Sequence, residues 1–305
     1  MQKLYIHQAV SISAQGFWVG FSLPVLRENL QRYRAIDADY KSVIPAMALR
    51  RMSKITKMAL WCGLTVSKNT GLDWDGIIVG TGLGNLADTE KFLNLISSPD
   101  LGLISPTAFT QSSHNTLSGQ LALQLKNHGY NMTHVQRNFS FENALKDASL
   151  QCQFGLKAIL LGAADEHIPL LDHLAKEAGY EEADIDKFGE GASFFQLSAE
   201  QPSEIFVRDV LVKTAGEDPL QSIGAFLEKN QVDIDSTLLI STADTTYDFK
   251  MKQRSVAELA GKYMTSSGIA VHLACSYLAQ QDYQYVLVWN NHSTNGLGLI
   301  LLGHA

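Results

Sequence analysis

The sequence holds few of the residue patterns that announce chemistry. Its three cysteines, Cys62, Cys152 and Cys275, are far apart and odd in number. No Cys-x-x-Cys pair or Cys/His cluster at metal spacing accompanies them. That speaks against zinc and a disulfide framework, and for a reducing, cytoplasmic compartment. None starts a helix, where a thiolate would be favoured, so each reads as a small buried hydrophobe. His-Glu-x-x-His and Gly-x-Ser-x-Gly are also missing, which removes common metalloprotease and serine-hydrolase signatures. No metal and no cofactor is expected. The nine histidines are scattered, and only His114 and His134 stand where they would face a cavity. Charged residues are 18% of the chain and the net charge is −7. A nucleic-acid or anionic-membrane partner would favour a basic face instead. No apolar run approaches the roughly 20 residues of a membrane span. The opening MQKLYIHQAVSIS lacks the charged segment and long apolar core of a signal peptide.

What is present is a chain of 305 residues, 46% hydrophobic, with material for one large domain or two similar halves. Apolar β-rich runs alternate with helical periodicity. Strands are expected at 4–13, 76–82, 132–136 and 157–165, with an adjacent pair at 190–200 and 205–215. The intervening helices fall at about 47–69, 85–98, 116–126 and 140–155. After Asp218 a second round follows. It has a helix at 219–229, a strand at 236–244, helices in 249–262 and 266–281, and terminal strands at 285–292 and 296–304. This is a mostly parallel α/β pattern with helices on both sheet faces, in two rounds that resemble one another. We divide it into residues 1–203 and 204–305 of one compact domain.

Two local features invite a functional reading. VGTGLGN (79–85) runs from a strand through a glycine-rich turn into a helix, as in dinucleotide sites. Its third glycine position is Asn85, and no acidic residue follows about 20 positions on to hold a ribose. A tight strand-to-helix turn is the better account. MTHVQRNFSFENAL (132–145) breaks from strand to helix at Arg137-Asn138, the kind of corner that holds nucleophiles. Asn tolerates unusual backbone angles and suits the corner without doing chemistry. Ser140 is the nearest hydroxyl and reads as a cap for the following helix.

Several stretches taken in order resemble one family. IPAMALRRMSKITKMAL (44–60), GIIVGTGLGNLADTEKFL (76–93), SPTAFTQSSHNTLSGQLALQL (105–125), KAILLGAADE (157–166) and YMTSSGIAVHLA (263–274) are similar to segments of the β-ketoacyl-ACP synthases. The resemblance implies the thiolase-like fold: two pseudo-duplicated βαβαβαββ halves layered α-β-α-β-α, normally dimeric. The family's catalytic positions fall at Asn138 for the acyl-accepting cysteine, and at Asp244 and Lys262 for two histidines. The family's lysine falls at Ala257, and its glycine-rich loop at HSTNG (292–296). An amide is no nucleophile, and Asp244 has the wrong sign to stabilise a developing anion. No catalytic residue is therefore expected.

The resemblance then implies a chain-length-factor-like subunit. It would pair with an active ketosynthase, or with itself, and meet an acyl carrier protein through the complex. It would shape the acyl tunnel in polyketide or fatty-acid-type synthesis, of the aryl-polyene kind. Segments 107–117 and 133–141 would supply the interface, with Phe109, His114, His134, Phe139 and Phe141 as interface or tunnel candidates. Core packing is the competing account of the phenylalanines. Two other functions stay open: an acyltransferase or malonyl-carrier decarboxylase with altered chemistry, and a homodimeric acyl-binding scaffold. Arg50, Arg51, Lys54 and Lys57 would form a carrier-facing patch or, more simply, a solvated helix face.

Overall fold

The structure, a computed structural model, describes residues 2–23, 26–27, 30–97, 106–200, 202–214, 218–243, 250–291 and 296–305. Its first half contains β1 (Leu4–Ser13), β2 (Gly16–Val19), α1 (Ala46–Leu49), α2 (Lys54–Thr70), β3 (Gly76–Gly80), α3 (Leu86–Ile96), α4 (Pro106–Ser112) and α5 (Thr116–Leu125). It continues with β4 (Tyr130–His134), α6 (Ser140–Gln153), β5 (Ile159–Asp165), α7 (Pro169–Glu177), α8 (Glu182–Ile185) and β6 (Gly191–Ser198). The second half contains β7 (Ile205–Thr214), α9 (Pro219–Lys229), β8 (Thr237–Ser241), β9 (Lys252–Ser255), α10 (Ala257–Ala260), α11 (Ser266–Ala279), β10 (Tyr285–Asn290) and β11 (Gly296–His304).

The strand order shows the duplication directly. Outward from the middle of the sheet, one half runs β1-β6-β5-β3-β4 and the other β7-β11-β10-β8-β9. In each, the two inner pairings are antiparallel and the outer three strands pair parallel. β1 joins the halves by pairing with β7 through Leu4↔Val207, Tyr5↔Phe206 and Ile6↔Ile205. Beyond Ile6 the outer edge of β1 pairs with β2 instead, over Val10–Ser13. The sheet is thereby freed to part into two leaves.

Helices fill the space between and outside the leaves. α6 and α11 touch strands of both halves and carry the central core, including Phe141, Leu145, Ile269 and Leu273. α2 and α5 cover the outer face of the first half, and α9 covers that of the second. The result is the α-β-α-β-α layering. α11 suits its place because it is apolar nearly all round, with twelve of its fourteen residues buried. Its one imidazole, His272, receives Ser11 Oγ–H at Nδ1 (2.7 Å) and donates from Nε2 to the Gly20 carbonyl (2.7 Å). Burial lowers its pKa to about 4, so it is neutral and can play both parts.

Two segments differ from expectation. The helix read across 47–69 is broken: α1 ends at Leu49, Ser53 is extended (ψ 168°), and α2 begins at Lys54. The helix expected in 249–262 is an edge strand, β9, followed by the one-turn α10. Gln253, Arg254 and Ser255 complete a parallel ladder on β8, and this pairing outweighs a weak helical periodicity.

Packing is tightest where the leaves lack side chains. A Cβ on Gly162 would lie 2.2 Å from the buried Phe194 ring. Gly162→Ala is expected to lower the unfolding free energy by about 1–3 kcal/mol, measured by urea titration. An unchanged midpoint would show that the ring can yield.

Candidate functional site

The parallel strands of both halves deliver their C-terminal ends to one region, the usual place for sites in α/β folds. Asp165, ending β5, is the hub. Its fully buried carboxylate accepts from Thr81 Oγ1 (3.1 Å), Gly82 N (2.9 Å), Leu83 N (3.2 Å), Thr265 N (3.0 Å) and Thr265 Oγ1 (2.7 Å). Burial raises its pKa, and these donors work against that rise. The glycine-rich turn after β3 thus spends its N–H groups on the protein's own carboxylate rather than on a phosphate. The neighbouring Glu166 accepts from Ile55 N (3.3 Å) and Ala87 N (2.9 Å), near the starts of α2 and α3.

The corner 135–141 is held against this turn. Thr81 N donates to the His134 carbonyl (3.0 Å). The buried Ser140 hydroxyl accepts from Gln136 N (2.9 Å) and lies within donating distance of the carbonyls of Thr81 (2.9 Å) and Arg137 (2.7 Å). Ser140 therefore braces the corner and does not cap the helix as expected. The left-handed residue is Arg137 (φ 51°), one place before Asn138, at a cost of about 1–2 kcal/mol for an L-residue. Gly80 permits the close approach: a Cβ there would meet the Ser140 carbonyl oxygen at 2.8 Å.

The second half reaches the corner through Asn290 at the end of β10. Its side-chain amide donates to the Asn138 carbonyl (2.5 Å) and to Glu142 Oε1 (2.8 Å). Glu142 is completely buried in the first turn of α6, and burial pushes its carboxyl up to about 7, opposed by the Asn290 bond. Glycines of β11 make room for this packing. A Cβ on Gly298 would lie 3.0 Å from Glu142 Oε1, and one on Gly296 would lie 2.7 Å from the Phe139 ring.

The other candidates are dispersed around this centre. His134 ends the edge strand β4 with Nε2 2.9 Å from Asp147 Oδ2, and Tyr130 and Gln151 donate to the same carboxylate. His114 is exposed, its ring lying over Gly84. Phe109 is 64% exposed on α4, tilted against Phe92 at 5.7 Å. Phe141 lies wholly in the central core against Phe195. Asp244 and His292–Asn295 lie outside the described residues. Lys262 is held through its backbone to Lys187 and Gly189, and it borders a cavity of about 310 Å³ that Asn138 does not line. Of the basic set, Arg50 and Arg51 are exposed, while Lys54, only partly exposed, pairs with the buried Glu190. The three thiols are buried, and burial raises the pKa of each, Cys152 to about 11. None is poised as a thiolate.

Glu142, Asp165 and Asn290 were not among the residues singled out from the sequence. The acidic pair ending GAADE and the paired amides ending VLVWNN are the signals that point to them: polar groups where buried strands stop. Among the described residues, no group of three or more His, Cys, Asp or Glu side chains is placed to hold a metal ion, and no helix is long and apolar enough to cross a membrane.

Residues 28–180 match the family described as Beta-ketoacyl synthase, N-terminal domain. No curated protein sequence matches the chain. Among solved structures it is similar to the ishigamide ketosynthase/chain length factor, with TM-score 0.76 and 17% identity over 99% of each chain. A β-ketoacyl synthase from Burkholderia phymatum STM815 superposes with TM-score 0.77 and 12% identity over 100% of each chain. A ketosynthase in complex with its chain length factor from Xenorhabdus doucetiae does so with TM-score 0.59 and 15% identity over 100% of each. At these identities the likeness is one of fold.

The buried Glu142 gives the site a pH signature. Its folded pKa (about 7) exceeds the ordinary 4.5, so between those values the folded state binds more protons than the unfolded one. Stability therefore falls as pH rises through that window. Glu142→Gln is expected to remove a decline on the order of 3 kcal/mol between pH 5 and about 8. Glu166, also raised to about 7, retains its own decline in the variant. Urea titrations across pH read the difference, and parallel curves for the two proteins would contradict it.

Proposed function

The chain belongs to the β-ketoacyl synthase family, and on that premise we propose that it is a non-condensing, chain-length-factor-like subunit. It pairs with an active ketosynthase and shapes the tunnel in which a polyketide or fatty-acid-type chain grows. The observation that carries this reading is the corner itself. The strand-to-helix break is intact at the start of α6, but its residue, Asn138, bears an amide side chain, and its backbone carbonyl is held by Asn290. The nearest hydroxyl in the sequence, Ser140, is buried and bonded within the corner. A thioester needs a sulfur, and the cysteines lie elsewhere, buried and with raised pKa values.

The edge of the sheet supports the pairing. Among the described residues β4 ends the strand order, so one row of its backbone groups has no neighbouring strand there. It carries no Lys, Glu or Pro of the kind that discourages strand addition. Exposed Met132, Val135, Leu123 and Leu150 lie on or near it. The complex of a ketosynthase with its chain length factor from Xenorhabdus doucetiae is consistent with a role of this kind, and an aryl-polyene-type product is the specific version proposed.

Two measurements test the reading. Co-expression with a ketosynthase encoded beside it is expected to yield a stable one-to-one complex by size exclusion and native mass spectrometry. Recovery of the chain only as a homodimer or monomer would contradict the pairing. Asn138→Cys is expected to be labelled by a mechanism-based ketosynthase inhibitor at least about tenfold faster than Cys62, Cys152 or Cys275, because the new thiol would stand at a helix start. Equal labelling would show that Asn138 is not the vacated nucleophile position.

A further inference from the structure

The cavity bordered by Lys262 has one weakly attached wall. Leu171, Leu174, Ala175, Tyr180 and Phe188 line one side; Leu83, Tyr263 and Met264 line the other. The first group belongs to the segment carrying α7 and α8. Of residues 169–184, only Ala175 is buried. The apolar face of α7 therefore looks onto a cavity of about 310 Å³ and not onto packed core. A segment with few buried contacts opens at lower free energy than the fold as a whole.

Both ends of this segment are fixed. At its start, His167 N donates to Glu190 Oε2 (3.1 Å), and Ile168 is buried. At its end, Gly189 N donates to the Lys262 carbonyl (2.9 Å), and a Cβ on Gly189 would lie 2.2 Å from the Ala260 carbonyl oxygen. Between these anchors, Gly179 (φ 84°) turns the chain from α7 to α8. Among the described residues, what holds the span down is largely ionic, apart from the buried Ala175 and Ile185 and the bond from Lys262 N to the Lys187 carbonyl (2.7 Å). Arg32 pairs with Asp186 (3.0 Å) and Glu182 (3.7 Å). Arg34 pairs with Asp172 (3.9 Å) and donates to the Phe188 carbonyl (2.6 Å). Both arginines sit on the chain leading from β2 to α1, which is separately tied down by Ala35 N to Glu190 (2.9 Å) and Ile36 N to Ser13 (3.1 Å).

We propose that residues 167–188 form a flap over the cavity, clasped shut by Arg32 and Arg34, and that opening of this clasp admits apolar molecules. Arg34 is the main catch because it grips both the first turn of α7, at Asp172, and the stretch before β6, at Phe188. Arg32 is the lesser one, since exposed ion pairs contribute little and are screened by salt.

Hydrogen exchange of the full chain, followed peptide by peptide, tests this together with stopped-flow binding of the neutral dye Nile red. In the unmodified protein, amides of 169–186 are expected to exchange at least about a hundredfold faster than those of β5. Arg34→Ala should accelerate exchange there by about three- to tenfold, leave β5 unchanged, and speed Nile red association by a similar factor. Should Arg34→Ala fail to fold, Arg32→Ala and the unmodified protein in about 1 M salt pose the same question, with a smaller acceleration expected. Flap amides as slow as β5, acceleration spread equally over both regions, or dye binding indifferent to arginine loss and salt would each overturn the proposal.

Discussion

The carboxylate of Asp165 is the constraint on which the site depends. It gathers the turn after β3 and the start of α11 onto one buried charge, so the two halves of the fold meet with fixed geometry. A carboxylate can be buried this way only when its lone pairs are taken, and five bonds from Thr81, Gly82, Leu83 and Thr265 do so. Thr81 then carries the order outward. Its N–H holds His134 and its carbonyl faces the Ser140 hydroxyl, so the corner before α6 inherits its position from the hub. Removing the hub would leave buried N–H groups unpaired in both halves at once.

Around that frame the strand-to-helix break carries an amide residue, Asn138. A strained residue, Arg137, still turns the chain from strand to helix. The side chain reaching across from the second half, Asn290, donates to the Asn138 backbone carbonyl and to the buried acid Glu142. Those contacts are structural: they close the seam between α6 and β10 and tie Glu142 into it. The proposed role as a shaping subunit rests on the amide at the corner and on the bonds that engage the Ser140 hydroxyl within it.

Much of this was legible in the sequence, for definable reasons. Buried parallel strands such as GIIVG and ILLGAAD are continuous apolar runs that end in polar residues, so the alternation of elements and their division into two rounds could be read. The corner was visible because a strand ran straight into a helical pattern at Arg137-Asn138. What escaped were features set by distant partners. β9 looked helical because its pairing with β8 leaves no local mark, and the break before α2 depends on Glu166 accepting the Ile55 N–H from far along the chain. Lys54 looked like a surface residue because nothing near it in sequence reveals Glu190. Ser140 was read as a cap from its place at a helix start, whereas its bonds run back to the corner and across to Thr81.

The most direct test of the proposed non-condensing role is a turnover assay on the purified chain. Acyl-loaded and malonyl-loaded carrier proteins would be supplied together, with carbon dioxide release and ketoacyl product both recorded by mass spectrometry. The chain alone should give neither above the protein-free background, while the complex with its partner ketosynthase should give both. Condensation by the chain alone would contradict the account at its centre.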